Sequence, residues 1–297
     1  MPHHEPPPEK GRRGWKLEDI DWSGIQRDMV RDDDDLFYLL APASFVEILS
    51  DHYTRNLIDH YRGDSAVVGW LEDNWRREEM QHGEALKTYV RAVWPEFDWD
   101  GAYAGFAAEY GAACTMAALE PSPALEMAAR CVVEIGTSTL YRCLFNYVRE
   151  PVLRQLLANI KADEVRHYGH FHAFFEAYNR EERKGFWEVW RILRGRMTEI
   201  RDDDSYIAFK HVYAWRRPGA ASGEGMWTQY SRYSWRISGL ARRNYPYAMA
   251  ADMLLALLPL PAFLKPLLRL PIVGIARLTL FRPPPSVPVP PRLSSTG

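Results

Sequence analysis

From about Trp22 to Tyr213, apolar residues recur at three- and four-residue spacing with few Pro or Gly, and the Val/Ile/Thr-rich alternation of half-buried strands is missing. A chain patterned this way hides its apolar stripes by packing helix on helix, so the expected fold is all-α. Following the phase predicts four long helices over about 43–61, 67–94, 122–148 and 152–178. The first puts Glu47 on one stripe with Ile58. On the second, Leu71, Trp75, Leu86 and Val90 share a face with Glu79 and His82. The third aligns Glu134 with Met127, Cys131, Tyr141 and Phe145, and the fourth aligns Glu164 and His167 with Leu157, Ile160, Phe171 and Phe174. Carboxylates and imidazoles therefore point into a core.

An ionised carboxylate buried without a partner is very costly, and several together need a cation. Glu79-Met80-Gln81-His82 and Glu164-Val165-Arg166-His167 are the two Glu-x-x-His motifs of the sequence. Each sets a hard oxygen and an imidazole nitrogen one helical turn apart on one face. Glu47 lies sixteen residues before Gly63, in the turn Gly63-Asp64-Ser65, and Glu79 lies sixteen after it. An antiparallel hairpin would return both carboxylates to the same height, about 24 Å from the turn. Glu134 and Glu164 flank Pro151 in a less symmetric copy of that arrangement, which reads as a duplicated hairpin. Asp51, one turn beyond Glu47 on the same face, competes with it for the first position.

Four carboxylates balance two divalent ions if the imidazoles are neutral. The oxygen-rich, two-nitrogen donor set suits iron or manganese, and the three cysteines supply no thiolate zinc or cluster pattern. One Glu from each of two helices plus Glu-x-x-His from each of two others is the dinuclear carboxylate arrangement of ferritin-like bundles. The expected architecture is therefore a ferritin-like four-helix bundle core with additional helices.

The flanking residues resemble a specific family, the soluble acyl-acyl carrier protein desaturases. Trp75-Arg76-Arg77-Glu78-Glu79-Met80-Gln81-His82-Gly83-Glu84-Ala85-Leu86 is similar to that family's W-x-x-E-E-x-x-H-G-[DE]-x-L element, and Asp163-Glu164-Val165-Arg166-His167 to its D-E-x-R-H element. The resemblance covers roughly Asp34 to Tyr178. It implies that Glu79 and Glu164 bridge two irons, that Glu47 and Glu134 are terminal ligands, and that His82 and His167 each complete one iron. It implies further that Asp163 orients a ligand histidine and that Thr137 stands beside the oxygen-binding position. Trp75 is expected to be core packing. The activity implied is O2-dependent introduction of a double bond into an acyl chain, with an acyl carrier protein delivering the substrate and a ferredoxin-like donor supplying electrons. Hydroxylation of an acyl chain or oxidation of an arylamine is the alternative chemistry, and iron storage or a structural bundle the non-enzymatic one. In related arylamine N-oxygenases a histidine placed like His170 is an additional ligand.

With 37 Lys+Arg against 39 Asp+Glu, the net charge of −2 excludes a strongly basic nucleic-acid binder. Cys114, Cys131 and Cys143 form an odd set in helix-like sequence, which fits small core residues in a reducing cytoplasm. The start has no apolar core of a secretory signal. The expected organisation is a disordered segment over 1–20, a helical diiron domain over 21–245, an apolar segment over 246–281 and a disordered Pro-rich tail over 282–297. The run from Ala251 to Leu264 is short for a membrane span and holds Pro259 and Pro261. The whole apolar tail from Met249 to Phe281 suits a substrate lid, a homodimer surface or an element at a membrane interface. Arg183, Lys184, Arg191, Arg194 and Arg196 offer a basic face for an acidic carrier protein.

Overall fold

The computed structural model describes residues 14–112, 114–199, 205–216 and 224–281, and among these the regular structure is entirely helical. Helix α1 spans Asp34–His60. It begins well ahead of the expected apolar phase because Asp33 caps it, accepting from the Leu36 amide at 2.9 Å, while Asp34 and Asp35 oppose the positive end of the helix dipole. Asp64, in the expected turn, caps α2 (Ser65–Trp70) by accepting from the amides of Ala66 and Val67. The chain then passes through a π turn at Leu71–Trp75 into α3 (Arg76–Val93). The single helix expected over 67–94 thus carries one wide turn immediately before Glu79, and such insertions are frequent at functional sites. After α4 (Trp99–Gly111) come α5 (Pro123–Tyr147) and α6 (Pro151–Glu182), each opening on a proline, where a missing N–H costs nothing.

These long helices form two antiparallel pairs whose faces meet. In the first pair Asp51 of α1 reaches Arg76 of α3, while the earlier Ile48 lies against the later Gly83. In the second, contacts run from Ser122 with Glu182, through Thr137 with Glu164, to Phe145 with Arg154. Helices α3 and α6 join through Glu78 with His167 and His82 with Asp163, and α1 and α5 through Glu47 with Tyr141. All four inner faces therefore close on one interior layer.

Gly83 sets how close α1 and α3 come. A Cβ there would lie 2.5 Å from Ile48 Cγ1 and 2.8 Å from the Ile48 backbone nitrogen, beside Glu47. A rotamer change does not move a backbone atom, so Gly83→Ala is expected to wedge the pair apart, costing about 1–3 kcal/mol in chemical denaturation. A variant as stable as the wild type would show that the helices part freely.

Around this layer lie α7 (Phe186–Glu199), α8 (Ser205–Arg216), α9 (Glu224–Asn244), α10 (Tyr247–Leu257) and α11 (Leu264–Thr279). Within the head, residues 14–20 are described, with Trp15 set by its indole hydrogen bond to Asp163 of α6; residues 1–13 lie outside the described residues. The apolar segment over 246–281 divides into two unlike parts. Helix α10 buries Ala251, Met253, Leu255 and Leu257, and its Met253 carbonyl accepts from Tyr168 at 2.6 Å, whereas α11 buries no residue. The Pro-rich tail over 282–297 lies outside the described residues. Among the described helices none is long and apolar enough to cross a membrane. Cys131 and Cys143 are buried as expected, and Cys114 is half-buried.

Candidate metal centre

All six expected ligands meet in the interior layer, none more than 7% exposed. They form two overlapping groups, Glu47, Glu79, His82 and Glu164 in one and Glu79, Glu134, Glu164 and His167 in the other. Within each group one donor atom per residue lies within 4.8 Å of all the rest. Glu79 and Glu164 belong to both. The hairpin geometry also separates Glu47 from Asp51, which turns away to pair with Arg55 at 2.7 Å and with Arg76.

The hydrogen bonding of these residues tests whether they fit metal ions. Glu47 Oε2, Glu79 Oε1, His82 Nδ1, Glu134 Oε2, Glu164 Oε1 and His167 Nδ1 are all buried without a hydrogen-bond partner. Each ligand residue contributes one such atom, and the atoms face one another: His82 Nδ1 is 3.1 Å from Glu164 Oε1, and His167 Nδ1 is 3.0 Å from Glu79 Oε1. Buried polar atoms are rarely left unsatisfied, so six in one place make a site that metal ions could complete.

The opposite atoms of the same residues are held by the protein. Glu47 Oε1 accepts from the Tyr141 hydroxyl, Glu134 Oε1 from the Trp75 indole at 3.1 Å, and Glu164 Oε2 from the Thr137 hydroxyl at 2.5 Å. Each bond fixes one carboxylate oxygen and leaves the other facing the centre. The Val133 carbonyl oxygen, 3.4 Å from Thr137 Oγ1, is an alternative acceptor for that single hydroxyl proton. Trp75 is in the core and also holds a ligand, a role beyond the packing expected of it.

The imidazoles are oriented reciprocally. His82 Nε2 lies 3.1 Å from Asp163 Oδ2, the residue before Glu164, and His167 Nε2 lies 2.7 Å from Glu78 Oε2, the residue before Glu79. Arg166 ties the two carboxylates together, donating to Asp163 at 2.8 Å and Glu78 at 2.5 Å, and the half-buried Trp15 indole donates to Asp163 at 2.6 Å. Such carboxylates fix the tautomer and ring orientation of a ligand histidine and raise its basicity. Glu78 was not singled out in the sequence. Its signal was its position, since it occupies in the first motif the place that Asp163 occupies in the second.

His170 does not join either group. It stacks on Trp70 at 4.9 Å, and burial pushes its pKa down to about 4. His172 stacks on Tyr168 instead, with Nε2 3.3 Å from the Ala256 carbonyl oxygen. Within the expected basic face, Lys184 lies 3.4 Å from Glu182, and Arg196 donates to the Ala118 carbonyl at 2.8 Å.

Burial and mutual repulsion leave the metal-free cluster holding protons that a bound cation could replace. Burial, reinforced by repulsion from Glu164 and Glu47, raises the Glu79 pKa well above the carboxylate range, and burial pushes Glu134 up to about 8. Burial works against charge on both imidazoles, but their carboxylate neighbours outweigh it and raise both pKa values. Asp163 and Glu78 move the other way: despite burial, the histidines, Arg166 and, for Asp163, the Trp15 indole hold them below their ordinary values.

Without metal, Glu134 is protonated in the folded chain up to about pH 8 but in the unfolded chain only to about 4.5. Its contribution to metal-free stability is therefore complete below pH 4.5 and lost as the pH rises to 8. Metal uptake is expected to release protons in that same window and to tighten as the pH rises. Titration calorimetry with Mn2+ in buffers of different ionisation enthalpy reads this directly, and uptake without proton release would contradict it.

No family model matches the chain, and no curated protein or solved structure matches it either.

Proposed function

We propose that this chain is a ferritin-like, dinuclear-iron oxidoreductase that uses O2 to introduce a double bond into an acyl chain. The observation that carries the proposal is the six buried, unpartnered donor atoms in two groups sharing Glu79 and Glu164. Two helix pairs each supplying one Glu and one Glu-x-x-His match the ferritin-like dinuclear arrangement. Support for iron and for an acyl substrate comes from the donor set and from the motif resemblance around Trp75–Leu86 and Asp163–His167. Glu79 and Glu164 would bridge the ions, Glu47 and Glu134 would bind terminally, and His82 and His167 would each complete one ion.

Bound there, a pair of redox-active ions would supply the reduction of O2. The chain's own residues supply the rest. Thr137 donates its hydroxyl proton to Glu164 Oε2, with the two oxygens 2.5 Å apart, which places a proton beside the centre. Asp163, Glu78 and Arg166 keep the two imidazoles in fixed orientation, and the buried rings of Trp70, Trp75 and Phe171 pack edge to face beside His167. In the balanced reaction the acyl chain loses two hydrogens, an external donor of the ferredoxin class supplies two electrons, two protons enter and O2 leaves as two waters. An acyl carrier protein is the proposed carrier.

The test is to load the chain with ferrous iron and add a reductant, O2 and a panel of acyl carrier protein, coenzyme A and free-acid substrates, with products read by mass spectrometry. A product lacking two hydrogens is expected. One carrying an added oxygen atom would replace desaturation by hydroxylation, and iron uptake with no product across the panel would overturn the acyl reading.

A further inference from the structure

Helix α11 is inside out. Phe263, at its N-cap, and Leu267, Leu270, Ile275 and Leu278 are each between 61% and 72% exposed. At 100° per residue these five fall within one arc of about 140°. Its polar residues turn the other way. Lys265 Nζ donates to the Ala256 carbonyl at 3.0 Å, and the Arg269 guanidinium pairs with Asp252 of α10 at 2.5 Å. Arg277, at the edge of the apolar arc, lies over the Tyr247 ring at 5.6 Å. A surface helix of a globular protein ordinarily shows the reverse, with apolar residues inward and charge outward.

The charge of this end of the chain is equally one-sided. After Asp252 the sequence holds Lys265, Arg269, Arg277, Arg282 and Arg292 and not one Asp or Glu, although the whole chain is net negative. An outward apolar arc, with Arg277 at its edge, on a segment whose charged side chains after Asp252 are all basic matches a surface that is apolar beneath and anionic at its boundary. We propose that α11 docks the protein on an anionic lipid bilayer, lying in the interface plane with its apolar arc among the upper acyl chains. The alternative occupant, a second copy meeting the same face, fits less well. The strip is roughly 24 Å by 10 Å, far under the ~800 Å² per partner of a standard interface, and two basic segments would be opposed across it. This inference does not depend on the metal centre.

The test is co-sedimentation of the full, metal-loaded chain with vesicles of phosphatidylcholine alone and of phosphatidylcholine with one third phosphatidylglycerol. Binding is expected to be roughly tenfold tighter to the anionic vesicles and to weaken as salt is raised. The double variant Leu267→Glu/Leu270→Glu is expected to lose this binding roughly tenfold while keeping helix content and metal content. A second variant, Ile275→Glu/Leu278→Glu, should do the same from the other end of the arc. Absence of binding, equal binding to both vesicle types, or binding that survives both variants would overturn the proposal. So would a wild-type dimer that both variants convert to monomer without any vesicle binding, which would assign the face to a second copy.

Discussion

Glu79→Ala is expected to empty both metal positions, taking the chain from about two ions to about none, because its carboxylate belongs to both donor groups. Glu164→Ala should do the same. Glu47→Ala and His82→Ala touch one group only and should leave about one ion, as should Glu134→Ala and His167→Ala from the other side. The gradation follows from the overlap of the groups, and general damage to the fold would not reproduce it. An independent check comes from the metal-free proteins. Burial, with repulsion from Glu164 and Glu47, makes an ionised Glu79 unfavourable, so in the absence of metal the side chain must be held either charged or protonated at a cost, and deleting it removes that cost. Metal-free Glu79→Ala should therefore be at least as stable as metal-free wild type. Metal analysis of purified, reloaded variants with parallel thermal denaturation reads both. If Glu79→Ala keeps two ions, the shared-ligand reading is wrong.

Metal loading itself should change stability more than any surface substitution. The unpartnered atoms face one another only in the folded chain, so ions held there would bind the folded state selectively. At free-ion concentrations a thousand times Kd, each site contributes about 4 kcal/mol. For a chain of this size a kcal/mol moves Tm by roughly 2–4 °C, so two sites should raise it on the order of 15 °C or more. Ferrous iron under nitrogen, or Mn2+ in air, is compared with a chelated sample by calorimetry. A Tm unchanged by saturating metal would mean that the cluster is closed by protons alone.

The ligand residues were legible because each breaks a rule of the helix that carries it. A carboxylate on an apolar stripe is unfavourable locally, and such conflicts are expected where function overrides packing. Pairing Glu47 with Glu79 needed only helix rise and the Gly63 turn, and the structure sets Glu47 in the buried cluster while Asp51 pairs with Arg55 and Arg76. The partners that hold the ligands were harder to see. Trp75 and Tyr141 are large aromatics on apolar faces, and nothing in the spacing distinguishes an indole that only packs from one that donates to Glu134. Glu78 reads as a solvated helix residue until α6 is brought beside α3, since its partners Arg166 and His167 are distant in sequence.

The π turn at Leu71–Trp75 was also invisible, because one wide turn shifts the phase too little to show among Leu71, Trp75 and Glu79. Trp15 lies in a polar, Gly- and Pro-bearing stretch that by composition should not order, and its hydrogen bond to Asp163 is what ties it down. At the other end, composition made 246–281 one apolar unit. Only packing divides it into a buried α10 and an outward-facing α11.

The most direct test of the central claim is anomalous diffraction from crystals loaded with iron, with data collected on both sides of the iron absorption edge. Two iron peaks per chain are predicted, one bounded by Glu47, Glu79, His82 and Glu164 and the other by Glu79, Glu134, Glu164 and His167. A single peak, or iron held elsewhere while these six side chains hydrogen-bond among themselves, would contradict the account.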